Sequence, residues 1–470
     1  MATECTNINS WVYRGEGNAC LAVGNLVSKQ VYLLMKVKDR LSSDIRHTDA
    51  KRTVQNDVGY GRFVMRPQIG AQFVPVGEVV CVPEEFLSQI EEKMREYRSS
   101  RRLSEKLDPA GFAVRLPDAC KLTAVDSCGQ GPVVCVEVKP KTGFLPEIVT
   151  IPDVHAVRRS VCRYCMQQCL KLCHGKIKER SQYCPLDLFS GTAPRMTYAI
   201  KALVQNPQNN FKVFQDGNLI YSDSTENHQQ PLQDCLTALF AGENKDIDCT
   251  GDSGAQTNDL LVDRFAELLF KVLVYPVDDS NSCYGNTPPS TTPECCTEST
   301  CKAQMQGGSQ HGLVPGSVLF NILHTQQLDV LDIEGIYPLY QRLVAHLETH
   351  PEDRGRWCLE GPYDNAQWTM THSALEKFRD NIQSMESVVM LVKAFLVSLT
   401  AKDCSVMVTL QRVENDADVM LPVVTDSVGN KFMFNIQVVD TKQKPLHRIQ
   451  KYFSLNKDIV QAYVRTIGDK

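Results

Sequence analysis

Apolar residues along this chain fall into short alternating runs near both ends and longer, helically spaced stretches between them. Trp11-Val-Tyr13 and Cys20-Leu-Ala-Val23 flank Gly15-Glu-Gly17-Asn18, a pattern that predicts a β-hairpin with turn chemistry at its tip. Val31–Val37, Phe112–Leu116 and Val133–Val138 predict further strands. Glu78-Val-Val-Cys-Val82 runs into Pro83, after which Phe86, Leu87, Ile90 and Met94 give Glu84–Tyr97 helical spacing. From Val161 the pattern is helical, with breaks at Cys184-Pro185 and Gly191. Asp216-Gly217-Asn218 predicts a turn between Phe211–Phe214 and Leu219–Tyr221. Apolar helices are predicted around 259–275, 317–347 and 385–401, then strands at Val406–Leu410 and Phe432–Val439 and a terminal helix. The polar, Ser-, Thr-, Asn-, Gly- and Pro-rich segments 223–258 and 278–316 predict loop insertions at the surface.

The length of 470 residues exceeds one compact core and predicts two or three domains. With 43% hydrophobic and 22% charged residues, the composition is that of a soluble globular protein. No apolar run reaches membrane-spanning length, and the first residues have neither a basic nor an apolar leader region, so neither a membrane segment nor a secretory signal is expected. Nineteen cysteines in a long chain without such a leader predict reduced thiols and a metal site rather than a disulfide framework. A net charge of −5 argues against nucleic-acid binding. A polyanionic ligand would have to be met by cations gathered locally.

Four constellations offer such chemistry. In Val136-Glu137-Val138-Lys139-Pro140-Lys141, strand alternation puts Glu137, Lys139 and Lys141 on one face, fit to hold nucleotide and phosphate. A solvated charged face carries the same pattern, and Pro140 ends or frays the strand. The hairpin tip Gly15-Glu-Gly17-Asn18 offers backbone N–H groups to phosphates, as would many glycine hairpins. Asp403, before one strand, and Asp440, after the next, are carboxylates placed to activate a hydroxyl and hold a metal ion, although turn aspartates are common at strand ends. Finally, Asp440, Lys444, Arg448 and Tyr452 recur every four residues, and Pro445 suits a first helical turn, so the last three share a helical stripe.

Taken together, the segments resemble the inositol-pentakisphosphate 2-kinase family. The resemblance rests on Tyr-Arg-Gly-Glu-Gly-Asn (13–18), Glu-Val-Lys-Pro-Lys-Thr-Gly-Phe-Leu-Pro (137–146) and Cys-Arg-Tyr-Cys-Met-Gln-Gln-Cys-Leu-Lys (162–171). It continues in Tyr-Cys-Pro-Leu-Asp-Leu-Phe-Ser-Gly (183–191), Gln-Asn-Asn-Phe-Lys (208–212), Leu-Asp-Ile-Glu-Gly (331–335), Ala-Lys-Asp-Cys-Ser (401–405) and the Asp440–Tyr452 run. It implies an α+β, two-lobed inositol polyphosphate kinase fold: an N-lobe with an antiparallel sheet at 1–115, a hinge at 116–120 and a mixed C-lobe at 121–470. The implied reaction is ATP- and Mg²⁺-dependent phosphorylation of the 2-hydroxyl of inositol 1,3,4,5,6-pentakisphosphate. Gly17, Asn18, Ala19 and Cys20 would cover the ATP phosphates, and Asp118 would lie at the hinge near adenine. Glu137, Lys139 and Lys212 would face nucleotide and γ-phosphate. Lys141, Arg163, Lys171, Asn209, Asn210, Lys444, Arg448 and Tyr452 would grip the inositol phosphates. Asp403 would be the base, sharing Mg²⁺ with Asp440. Gln167 departs from the family, standing where a His is frequent. The N-lobe cation near ATP is Lys36 or Lys38, and an N-lobe arginine facing substrate is Arg101 or Arg102. Neither nucleic acid nor membrane is an expected partner. A monomer in the cytoplasm, the nucleus or both is the expected form.

For zinc, Cys162, Cys165 and Cys184 with His155 have the ligand types and spacing of a structural site. His174 is a rival ligand, and Cys162, Cys165, Cys169 and Cys173 also fit an apolar helical stripe. A second cluster, Cys283, Cys295, Cys296, Cys301 and His311, lies in the 278–316 insertion.

Overall fold

A computed structural model describes residues 7–37, 43–122, 129–147, 151–223, 229–241, 254–277, 312–363, 365–414 and 419–468. Two antiparallel sheets organise the chain. The first contains β1 (Trp11–Glu16), β2 (Cys20–Asn25), β3 (Gln30–Met35), β4 (Glu78–Cys81) and β5 (Phe112–Pro117), in the order β1-β2-β3-β5-β4. Its buried face packs Trp11, Leu21, Val23, Tyr32 and Leu34 onto the helix Glu84–Lys93 through Phe86, Leu87 and Ile90. These are the apolar positions that the alternation and the helical spacing single out.

The second sheet contains β6 (Gly129–Val138), β7 (Phe211–Gln215), β8 (Asn218–Tyr221), β9 (Ser405–Val413), β10 (Val423–Thr425) and β11 (Lys431–Val439), in the order β10-β11-β9-β6-β7-β8. Helices pack on it to form the larger core, in which Val134, Val136, Val138, Val406, Val408 and Leu410 are all buried. The helix Met385–Ala401 is buried almost all round and begins at Ser384, whose hydroxyl accepts from the Ser387 N–H. It runs directly into Asp403 and β9.

Three differences from the sequence reading have physical causes. Within 223–258, Gln229–Phe240 is a helix whose Leu232, Cys235, Leu236, Leu239 and Phe240 are buried in the larger core. Their spacing of three and four is helical, but the polar residues on either side obscure it. The 317–347 stretch is two helices, Val318–Gln326 and Asp332–Thr349, separated where Asp332 takes a positive φ of 57°. Lastly, Tyr60, Val64, Met65, Ile69, Phe73 and Val74 join the larger core although they precede β4 and β5. The helix Ser43–Tyr60 thus bridges the two sheets. Its Val54 packs with Met35 and Val114 of the first, and its Asp57 pairs with Lys442 at 2.8 Å beyond the end of the second. Among the described residues, no helix is long and apolar enough to cross a membrane.

Candidate active site

Antiparallel pairing of β7-β6-β9-β11 brings four chain segments together at one end of the larger sheet: the exits of β6 and β11 and the entries of β7 and β9. Glu137 lies opposite Lys212 across β6 and β7, and their side chains pair at 2.7 Å. The other carboxylate oxygen of Glu137 accepts from the Ser405 hydroxyl at 2.9 Å and lies 3.4 Å from the Lys139 ammonium. Lys139 in turn donates to Ser405 Oγ at 2.8 Å and to Asp440 Oδ2 at 2.9 Å. Burial would raise the pKa of Glu137, but Lys212 and Lys139 outweigh it and hold the carboxyl at about 2. Burial likewise opposes the charge on Lys139, yet Asp440 and Glu137 raise its pKa overall. Both groups are therefore charged at neutral pH.

The strand stops at Val138, so only Glu137 of the three charged residues lies on it. Lys141 follows Pro140 with a positive φ of 62°, and Asp440 has the same φ just past β11. Such conformations cost a residue with a side chain of order 1–3 kcal/mol and cluster at functional sites. Lys141 is turned to Asp403, where its ammonium meets Oδ1 at 3.2 Å while Lys444 meets Oδ2 at 2.7 Å. Desolvation would raise the pKa of Asp403. Lys141 and Lys444 more than offset this and keep it below the usual carboxylate range. Lys444 reaches this point from outside the terminal helix, which spans Arg448–Gly468. The residue before a proline is disfavoured in a helix, so Pro445 keeps Lys444 off the predicted stripe. Arg448, which is exposed, and Tyr452, which is half-buried, remain on it one turn apart.

Among the residues expected to meet substrate, Arg163 opens the helix Arg163–Cys173 and donates to Gln167 at 3.2 Å. Burial, then Arg158, lowers its pKa, while Asp332, Tyr452 and Asp403 oppose that. Burial and Lys141 lower the pKa of Lys171. Of the two asparagines, Asn209 is exposed, whereas the buried Asn210 donates its amide to Tyr164 Oη at 2.9 Å and its carbonyl accepts from the Lys139 N–H at 2.9 Å. Asn210 therefore secures the loop between the helix Ala193–Gln205 and β7.

The hairpin tip is fixed by basic residues of the smaller lobe. Lys36, buried, pairs with Glu16 at 2.6 Å and donates to the Gly17 carbonyl at 2.8 Å. Arg98 pairs with Glu16 at 2.7 Å, and Arg102 reaches Asn18 Oδ1 at 3.2 Å and the Glu16 carbonyl. Lys36 and Arg102 thus approach the tip, while Lys38 lies outside the described residues. Cys20 follows Ala19 beside it. Asp118 directly follows β5 and is buried, and Arg14 grips its carboxylate at 2.7 and 3.0 Å. Arg14 also donates to the Gly217 carbonyl in the β7–β8 turn, tying the hairpin, the segment after β5 and the larger sheet together. Sequence reasoning missed Arg14, Ser405 and Gln326. Arg14 and Ser405 stand inside quoted motifs, which was the available signal.

Among the described residues, the group spaced for a metal ion is Cys162, Cys165 and Cys184, with ligand atoms within 4.8 Å of one another. Cys162 and Cys184 sulfurs are 3.7 Å apart, close to the ~3.8 Å edge of a tetrahedron with Zn–S bonds of about 2.3 Å. Hydrogen bonds from Cys162 and Cys165 hold the Cys184 thiol well below its usual range. His155 is not in this group. Its Nδ1 lies 2.7 Å from Glu334, which also neighbours Arg158 and accepts from Asn456 at 2.8 Å. The 283–311 cluster lies outside the described residues.

The smaller antiparallel sheet and the larger one, which ends in lysines and carboxylates, have the α+β arrangement of a two-lobed kinase fold. The family model described as inositol-pentakisphosphate 2-kinase matches residues 13–458, and the chain belongs to that family. It is similar to the inositol-pentakisphosphate 2-kinase of Danio rerio, 35% identical in a match covering 97% of this chain and 94% of that protein. It is also similar to the protein of that name in Arabidopsis thaliana, 27% identical across 99% of this chain and 95% of the relative.

Proposed function

We propose that this chain transfers the γ-phosphoryl group of ATP to the 2-hydroxyl of inositol 1,3,4,5,6-pentakisphosphate, giving inositol hexakisphosphate. The observation that carries the reading is Asp403 held between Lys141 and Lys444 beside the Lys139–Asp440 pair. A general base, two cations suited to flanking phosphates and a third cation suited to the transferred group stand together there.

Phosphoryl transfer asks a protein chiefly to position reactants and neutralise charge. A pentakisphosphate brings roughly eight to ten negative charges, at about −1.5 to −2 per phosphate. Lys141, Arg163, Lys171, Lys444 and Arg448 supply cations for these phosphates, with Tyr452 and Asn209 as hydrogen-bonding partners. Asp403 accepts the proton of the 2-hydroxyl. Lys139 and Lys212 face the γ-phosphate, their positions set by Glu137 and Ser405. Backbone N–H groups at Gly17–Cys20 cover the ATP phosphates, with adenine against the segment 116–120 between the lobes. Mg²⁺, for which Asp440 and Asp403 are the carboxylate donors, neutralises phosphate charge when bound. Cys162, Cys165 and Cys184 would hold a structural zinc ion with a ligand other than His155.

The test is incubation with Mg-ATP and inositol 1,3,4,5,6-pentakisphosphate beside penta-, tetra- and trisphosphate isomers. Hexakisphosphate should form with the wild type, and Asp403→Ala should lower the rate by ~10²-fold or more. Wild-type turnover no higher than that of Asp403→Ala would overturn the assignment, and preference for a tetra- or trisphosphate would reassign the substrate.

A further inference from the structure

Gln326 ends the helix Val318–Gln326, is fully buried, and carries no charge to offer a ligand. Its side-chain amide nevertheless touches both halves of the reaction centre. Nε2 donates to the Lys141 carbonyl at 2.7 Å and to the Ala401 carbonyl at 3.2 Å, while Oε1 accepts from the Gly143 N–H at 2.8 Å. One planar group thereby joins the loop that presents Lys141 to the helix end that presents Asp403, two residues beyond Ala401. Lys141 and Asp403 then meet through their side chains at 3.2 Å and close the ring.

The surroundings fix the residue in turn. Ser398 Oγ donates to the main-chain carbonyl of Gln326 at 2.5 Å. Just after the helix, Asp329 pairs at 2.6 Å with Lys402, the residue before Asp403. On the other side, the left-handed backbone at Lys141 must be held against its intrinsic preference. The hydrogen bond from Tyr183 Oη to the Pro140 carbonyl, at 2.7 Å, and the two made by Gln326, donating to the Lys141 carbonyl and accepting from the Gly143 N–H, hold that turn. Lys139 and Glu137 lie outside this ring. Strand pairing with β7 and β9 holds Glu137, and Lys139, one residue past the strand, is held by its N–H on the Asn210 carbonyl and its ammonium on Ser405 and Asp440.

We propose that Gln326 is a positioning residue that sets the separation between the phosphate-binding Lys141 and the base Asp403, leaving the nucleotide side untouched. The proposal rests on the functional reading above. It requires a split between the two substrates: loss of the amide should act on inositol pentakisphosphate and on kcat, but not on ATP.

The experiment compares wild type, Gln326→Met and Ser398→Ala by steady-state kinetics in each substrate. Calorimetric titration with inositol hexakisphosphate and a thermal melt complete the set. Gln326→Met should lower kcat/KM for inositol pentakisphosphate by ~10²-fold, the scale of an ångström-sized misplacement, and weaken hexakisphosphate binding. Its KM for ATP should stay within about twofold of wild type, since strand pairing holds Glu137, and the Asn210 carbonyl, Ser405 and Asp440 hold Lys139. Ser398→Ala, which loosens Gln326 without removing its amide, should show the same split in smaller measure and decides the matter if Gln326→Met does not fold. Equal losses toward ATP and inositol, or unchanged inositol kinetics in folded variants, would overturn the proposal. A wild type without turnover defeats the functional reading instead, and the calorimetric comparison then still reads the position of Lys141.

Discussion

Glu137 provides the sharpest physical test of the site, because its contribution is electrostatic and has a defined pH window. In the folded chain its carboxyl titrates at about 2 against an ordinary 4.5. At roughly 1.4 kcal/mol per pH unit, that difference is worth about 3 kcal/mol of stability at pH 7. The group is buried between Lys212, Lys139 and Ser405, so solvent screening removes little of it. Because the folded pKa is depressed, the contribution is complete above the unfolded value. It then declines as pH falls through 4.5 and vanishes below 2. Linkage reduces it to roughly half by pH 3. Substituting Glu137→Gln keeps the shape and the bond from Ser405 but leaves two lysines facing a neutral amide. Urea unfolding of wild type and variant, followed by circular dichroism from pH 7 to pH 3, should show a gap of about 3 kcal/mol that roughly halves across the series. A gap that stays constant with pH would mean that Glu137 acts through packing alone. A gap under about 0.5 kcal/mol at pH 7 would refute the charge network as a source of stability.

Two further predictions concern the lobe junction and the thiols. Arg14→Met leaves the buried Asp118 carboxylate without its guanidinium, so thermal stability should drop by about 3–5 kcal/mol and the KM for ATP should rise; Arg14→Lys should recover only part, lacking a planar fork. An unchanged melting temperature in Arg14→Met would rule out the latch. Purified wild type should carry about one zinc per chain by elemental analysis, and Cys184→Ser should lose most of it and melt earlier. Clearly substoichiometric zinc in the wild type would remove the metal from the structure.

Elements whose signal is local were readable in the sequence. Alternation placed β6 and its buried valines, Asp216-Gly217-Asn218 marked the β7–β8 turn, and Pro140 marked the strand end. What escaped depends on partners far along the chain. Nothing near Gln326 points to Lys141, 185 residues away, and nothing near Arg14 points to Asp118, 104 residues away. A spacing of four predicts Lys444 on a helix, yet the proline that suits a first turn also expels the residue before it, and the helix starts at Arg448. His155 has ligand chemistry and suitable spacing, but a carboxylate on a distant helix takes its ring nitrogen. Spacing names candidates, and only the fold assigns their partners.

The two oxygens of Asp403 are occupied by Lys141 and Lys444, which also depress its basicity. On the proposed chemistry, the phosphates of the incoming inositol compete for those same lysines, and as each ammonium turns to a phosphate the carboxylate becomes a better proton acceptor. The acceptor molecule thus arms the base that deprotonates it. Water carries no such charge, so on the same chemistry it would meet the less basic carboxylate.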